Sequence, residues 1–306
     1  MWLLENQMLS VLVWDFDPVL VQWGSLTIRY YGVLFSLTLL VGYFLWRWQV
    51  LRGGHGMKIA DAFLLWGVVG VVVGARLGHC LFYEPQVYLS HPERMLEVWK
   101  GGLSSHGALV GLALVLWGFS RRYKLRVLEV MDRFSFAAAA GAVGIRTANF
   151  LNSEIVGRVT DVPWAVLFVR ADPPGTNPPI LSAAPRHPAQ LYEGLLALLV
   201  LAALVLIDRK AGKEKRPLGL LTGCFLTLYF GGRLFTEFFK EYQTTWEQHL
   251  HVNAGQLLSL PPFFAGLAVL WWTWRKRVPG GGAATPKTEI RNPKQIPKGK
   301  NSNSKR

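Results

Sequence analysis

Residues 133–158 read "RFSFAAAAGAVGIRTANFLNSEIVGR". The run from 133 to 151 has the length and apolar character of a membrane-crossing helix. Yet Arg146 and Asn149 stand inside its last turns, with Glu154 and Arg158 directly after it. A charge near mid-bilayer costs at least about 2.5–3.5 kcal/mol on insertion scales, so ionisable groups in such a run are candidates for function.

The rest of the chain supports the membrane reading. Of 306 residues, 51% are hydrophobic and only 17% charged, against about 25% charged in soluble domains. Seven apolar segments are expected to cross the bilayer: 30–47, 60–83, 103–120, 133–151, 189–207, 218–236 and 256–274. A soluble bundle of buried helices is the plainer alternative, disfavoured by so many long apolar runs. The fold class is therefore all-α and polytopic, with seven transmembrane helices and a small extracytoplasmic head element.

Net charge is +14, but its placement points to the membrane and away from nucleic acid. Basic residues cluster after the first, third, fifth and seventh segments, as in Arg47, Arg52 and Lys58, or in "DRKAGKEKR" (208–216). Residues 1–28 hold no Lys or Arg. Basic loops stay in the cytoplasm, so the N-terminus is expected outside and the C-terminus inside. The start, "MWLLENQMLSVLVW", lacks a basic n-region and a small-residue cleavage site, so no cleavable signal is expected. Residues 1–278 form the expected membrane domain. Within it, 84–102 is read as a short amphipathic piece on the outer surface, and 152–188, with "DPPGTNPP", as the head segment. Residues 279–306 are rich in Pro, Gly and Lys and are expected to be disordered. Cys80 and Cys224 lie in apolar segments and suit core filling better than a disulfide or a nucleophile.

With this topology, His106, Arg146, Asn149, Gln190, Glu193, Arg233 and Glu237 all fall in the outer half of the bilayer. A shared pocket would explain the common depth. Arg146 and Asn149 are three apart; Arg233 and Glu237 are four apart and share a helix face. Arginines without a metal-ligand cluster suit bidentate phosphate binding, and a lone histidine suits a general base. No cofactor or metal is expected. Arg76, three residues before His79, joins the binding set, with snorkelling to the interface as its plain alternative. The Arg233–Glu237 pair could equally fix helix packing.

Seven segments in order, "RYYGVLF" (29–35), "GARLGHCLFY" (74–83), "GGLSSHGALVG" (101–111), "GIRTANFLNSEIVGRVT" (144–160), "RHPAQLYE" (186–193), "GGRLFTEFFKEYQ" (231–243) and "NAGQLLSLP" (253–261), make the chain resemble the prolipoprotein diacylglyceryl transferases. The resemblance runs from about residue 10 to 275. It implies seven helices in the bacterial inner membrane, N-terminus out, with a periplasmic head. It also implies transfer of the diacylglyceryl group of phosphatidylglycerol to the lipobox cysteine of a prolipoprotein, with release of glycerol-1-phosphate. Arg146, Asn149, Glu154 and Gly157 fall on the family's signature, His106 on its essential histidine and Tyr31 on its first-helix tyrosine. Arg233 and Glu237 fall on its sixth-helix pair, and Glu193 on a further glutamate.

Four glycines that the family usually has are replaced here, by Ala108, Ile145, Ala148 and Ser153. Small substitutes keep close helix packing, but a glycine needed at positive φ is not easily replaced. Two other classes of function compete with the transferase. One is a lipid or small-anion transporter, which the lack of detectable inverted repeats disfavours. The other is a non-catalytic homologue that binds lipid and signal peptides, for which the lost glycines speak.

Overall fold

The computed structural model describes residues 11–24, 26–97, 102, 104–171, 184–241 and 253–276. The turn "DPPGTNPP" and the tail 279–306 lie outside the described residues. Among those described, seven helices are 17 residues or longer: α1 (Tyr30–Arg52), α2 (Met57–Phe82), α4 (Ser105–Arg122), α5 (Val127–Leu151), α6 (Ala189–Lys210), α7 (Leu220–Thr236) and α8 (Ala254–Lys276). Short α3 (Pro85–Ser90) and a 3₁₀ turn (Pro92–Leu96) fill the segment after α2, where an amphipathic piece was expected. Four helices, α1, α2, α6 and α8, are long and apolar enough to cross a membrane.

Each long helix coincides with one apolar segment. The bounds differ most at α5, which starts at Val127 where 133 was expected. The reason is burial of its polar first turns. Arg133 is fully buried, and Asp132 nearly so. Asp132 accepts hydrogen bonds from the Gly219 and Thr222 backbone amides (2.8 Å each) and from Thr222 Oγ1 (2.7 Å), so it caps the start of α7 from another helix.

Aromatic packing joins α1, α2, α4 and α5 at this end. Trp46 stacks on Phe63 with ring centroids 4.2 Å apart, and Phe119 meets both rings edge-on. Phe136, Ala197, Val200, Leu204 and Leu221 close a second cluster between α5, α6 and α7. Helices α2 and α4 approach backbone to backbone. A methyl group at Gly107 would lie 2.2 Å from the Gly74 carbonyl oxygen, and one at Gly111 2.2 Å from that of Gly70. Glycines four apart on both helices make this contact possible.

Some of the basic residues read as loop charges are tied into a buried network. Arg52 grips Asp208 with both terminal nitrogens, at 2.7 and 2.9 Å, and Glu214 with Nε at 2.7 Å. Arg133 reaches Glu214 (3.0 Å), Glu129 (2.9 Å) and the Gln49 carbonyl (2.6 Å). Arg216 bonds Asp208 at 2.9 Å. Three arginines face three carboxylates, and α1, α5, α6 and the 213–216 turn are held together by charge.

At the other end lie two small sheets, which the sequence reading did not foresee. β1 (Leu12–Trp14) pairs in parallel with β4 (Val166–Phe168). β2 (Val19–Trp23) and β3 (Leu26–Arg29) form a hairpin leading into α1. The expected head segment 152–188 thus recruits the N-terminal strand.

Candidate active site

The signature stretch is organised by the way α5 ends. Asn152 is the C-cap, and Ser153 takes the left-handed conformation at φ +53°. The Ser153 amide bonds the Phe150 carbonyl (3.1 Å) and the Glu154 amide bonds that of Asn149 (2.9 Å). This double bond pattern turns the chain back on the helix end, and glycine is the usual residue at the position Ser153 fills. The turn brings Glu154 over Asn149, whose Nδ2 donates to Glu154 Oε2 at 3.3 Å. Asn152 donates to the other oxygen of Glu154. Arg146 Nη1 donates to Asn149 Oδ1 at 3.3 Å, closing a chain from Arg146 to Glu154.

Helix α6 supplies the centre. Glu193 is fully buried. Its Oε2 lies 2.9 Å from Arg146 Nε, and its Oε1 lies 3.0 Å from Lys240 Nζ and 3.7 Å from Arg233 Nε. These contacts are ionic, not aligned hydrogen bonds. Gln190, one turn earlier, donates to the Glu154 carbonyl at 2.6 Å. From the end of α7, Arg233 Nη2 donates to Glu237 Oε1 at 2.6 Å, which also accepts from Lys240 Nζ at 2.8 Å. Asn253, just before α8, donates to the Glu237 carbonyl at 2.7 Å.

Gly157 is where backbones crowd. A methyl there would lie 2.4 Å from the His187 carbonyl oxygen and 2.6 Å from that of Phe239. Its amide donates to His187 O at 3.0 Å, and the next amide, of Arg158, to Phe239 O at 2.9 Å. His187 Nδ1 lies 3.1 Å from the Tyr192 hydroxyl. Burial pushes the His187 imidazole down from its ordinary value. Half-buried Tyr31, on α1, stands within electrostatic reach of both Glu154 and Arg146.

Arg146, Asn149, Glu193, Arg233 and Glu237 therefore meet in one cluster centred on buried Glu193, with exposed Glu154 at its edge, Tyr31 beside it and Gly157 at its rim. Arg76 is engaged elsewhere. Its nitrogens donate to the Met95, Arg94 and Gly102 carbonyls at 3.0, 2.7 and 3.2 Å, and it lies over the Tyr88 ring. It holds the segment between α2 and α4. His106 is the second residue of α4, and its side chain lies outside the described residues.

Sequence reasoning missed Lys240. It is 5% exposed and touches both buried carboxylates. Its signal was the spacing of three from Glu237 on a helical turn. Chemically, three cations gather around two buried carboxylates, with Glu154 at the edge. Such a cluster has donors enough to hold a phosphate without collapsing on itself.

The family model described as prolipoprotein diacylglyceryl transferase matches residues 18–272. A phosphatidylglycerol–prolipoprotein diacylglyceryl transferase of Nitrosomonas europaea is 40% identical over 266 residues, covering 85% of this chain and 91% of that protein. Proteins of the same name from Tolumonas auensis and Chloroherpeton thalassium are 38% and 39% identical, covering 85% and 86% of this chain and 96% and 94% of their own lengths.

Proposed function

The chain belongs to the prolipoprotein diacylglyceryl transferase family, and from that membership we infer that it is a multi-pass membrane transferase acting on phosphatidylglycerol and prolipoproteins. The reaction moves the diacylglyceryl group to the lipobox cysteine thiol, forms a thioether and releases glycerol-1-phosphate. All seven long helices cross the bacterial inner membrane, with the N-terminus and the 152–188 head outside. Residues 279–306 form a cytoplasmic tail.

Arg146 and Arg233 clamp the lipid phosphate. The observation that carries this reading is Glu193, which holds both arginines from a third helix. A clamp fixed before the lipid arrives need not reorganise as charge develops. His106 takes the thiol proton, since the thiolate is the effective nucleophile. The thiolate sulfur then attacks the glyceryl carbon bearing the phosphoester oxygen. The S–C bond forms as the C–O bond breaks, and the electron pair leaves on glycerol phosphate, where the arginines stabilise it. Asn149, Glu154 and Glu237 orient the arginines, Gly157 gives close backbone approach, and Tyr31 borders the pocket. Arg76 supports the site through the segment it anchors.

The test mixes purified protein with phosphatidylglycerol and a lipobox peptide, beside Arg146→Ala. The peptide should gain one diacylglyceryl unit as glycerol phosphate is released, and the variant should do neither. Bound lipid with no peptide gain would leave only a lipid-binding homologue. Near-normal turnover by His106→Gln would overturn the assignment of the base.

A further inference from the structure

Residues 18–28, "PVLVQWGSLTI", hold no charge, and they form most of the hairpin in front of α1. Trp23 at its tip is 82% exposed and Leu26 59%. Between this hairpin and the first three turns of α1 runs a groove of about 560 Å³, lined by Thr27, Ile28, Arg29, Gly32, Ser36 and Leu40 among others. Helical spacing puts Gly32, Ser36 and Leu40 on the side of α1 away from Tyr31, which faces the Arg146 cluster. Thr38, nearly in line with Tyr31, packs against Gly144 of α5.

The mouth of the groove is cationic. Arg29 is exposed, and among the described residues no carboxylate pairs with it. The nearest acids in sequence, Asp15 and Asp17, pair with Arg170 at 2.6 and 3.5 Å. Below Arg29 the lining is almost wholly apolar, and Gly32 leaves open space where a side chain would stand. From Arg29 to Leu40 the helix rises about 16 Å, which is about half the ~30 Å hydrocarbon thickness. A groove with one positive charge at its top and the depth of one leaflet complements a lipid with an anionic headgroup.

We propose that this groove seats one anionic phospholipid of the outer leaflet, separate from the central pocket. Its phosphate lies on Arg29, one acyl chain runs over Gly32 and Ser36 towards Leu40, and Trp23 rests at headgroup level, where tryptophans gather. The seat rests on the membrane orientation given above. Only the thickness of α1 separates it from Tyr31, so a lipid held here waits beside the cluster.

The test uses full-length protein, stripped of lipid in detergent and titrated with phosphatidylglycerol or phosphatidylcholine, with bound lipids counted by native mass spectrometry. Gly32→Leu fills open space with a better helix former, so it should fold and hold one phosphatidylglycerol fewer. Arg29→Gln should weaken that lipid about tenfold and abolish the preference over phosphatidylcholine. Arg146→Ala should leave it in place. If Gly32→Leu and Arg29→Gln bind the same lipids as the parent, or if the parent shows no preference, the seat does not exist as described. Loss of a lipid only in Arg146→Ala would overturn the seat while supporting the central pocket. Loss in Gly32→Leu with none in Arg146→Ala would support the seat and count against the central pocket.

Discussion

Glu193 lies fully buried with its Oε2 2.9 Å from Arg146 Nε, and its other oxygen serves two further cations, Lys240 and Arg233. Removing one partner of a buried pair leaves uncompensated charge, at a cost of about 3–5 kcal/mol. Glu193→Ala should therefore lower the melting temperature and abolish transfer. Glu193→Gln should fold better yet stay poorly active, because the arginines lose their anchor. The check is thermal stability in detergent alongside turnover. A stable, fully active Glu193→Ala would remove the carboxylate from the site.

Ser153 sits at φ +53° with a buried hydroxyl that has no partner among the described residues. A left-handed conformation costs an L-residue about 1–2 kcal/mol. Ser153→Gly should stabilise the protein by about 1 kcal/mol, less the flexibility gained by the unfolded chain. Serine at this position therefore costs stability, and in Ser153→Gly turnover should hold or rise. A lower melting temperature for Ser153→Gly would contradict the strain argument.

At Gly107 an added methyl meets the Gly74 carbonyl oxygen, a backbone atom that cannot rotate aside. Overpacking of this kind costs about 1–3 kcal/mol or more. Gly107→Ala should destabilise by that order and reduce transfer, since it displaces the helix turn that carries His106. Ala108→Gly, the neighbouring change, should lower melting only by the helix-propensity difference, about 1 kcal/mol or less, with no backbone clash. Comparing the two melting curves checks which residue makes the contact.

Glu214 lies in the turn after α6. Burial alone would raise its carboxyl, but Arg133, Arg216 and Arg52 outweigh that and hold it below the usual range. A depressed folded-state value means the unfolded chain takes up the proton first. The stability it contributes is thus full above about pH 4.5 and fades as pH falls through the folded value. As pH falls below about 4.5, the parent should lose melting temperature more steeply than Glu214→Gln. Parallel curves would show that the network does not titrate through this group.

Long apolar runs made the helices legible, because hydrocarbon length and composition are local properties. Arg146, Arg233 and Glu237 were legible for the opposite reason, as charges where a bilayer penalises them. Lys240 escaped notice because "EFFKEYQ" (237–243) reads as an ordinary polar exit from a helix. Only the meeting of α6 and α7 turns it towards Glu193. Arg52, Asp208 and Arg216 read as loop charges, since nothing local says that α1 and α6 end side by side. Ile145, where the resemblance implies a glycine, stands 36% exposed, so it faces outward and leaves the cluster alone. Ser153 does not: it is buried and holds a left-handed backbone angle, neither of which the sequence shows.

The pairing of Leu12–Trp14 with Val166–Phe168 also fixes an order of assembly. The N-terminal strand is made first, but its partner emerges only after α1, α2, α4 and α5 have been synthesised. Closing a loop of this length is an entropic step that local contacts cannot repay early. The first strand therefore waits unpaired while more than half the chain is synthesised. The Schellman turn at Ser153, formed from neighbours alone, is in place before the strand it presents finds its mate.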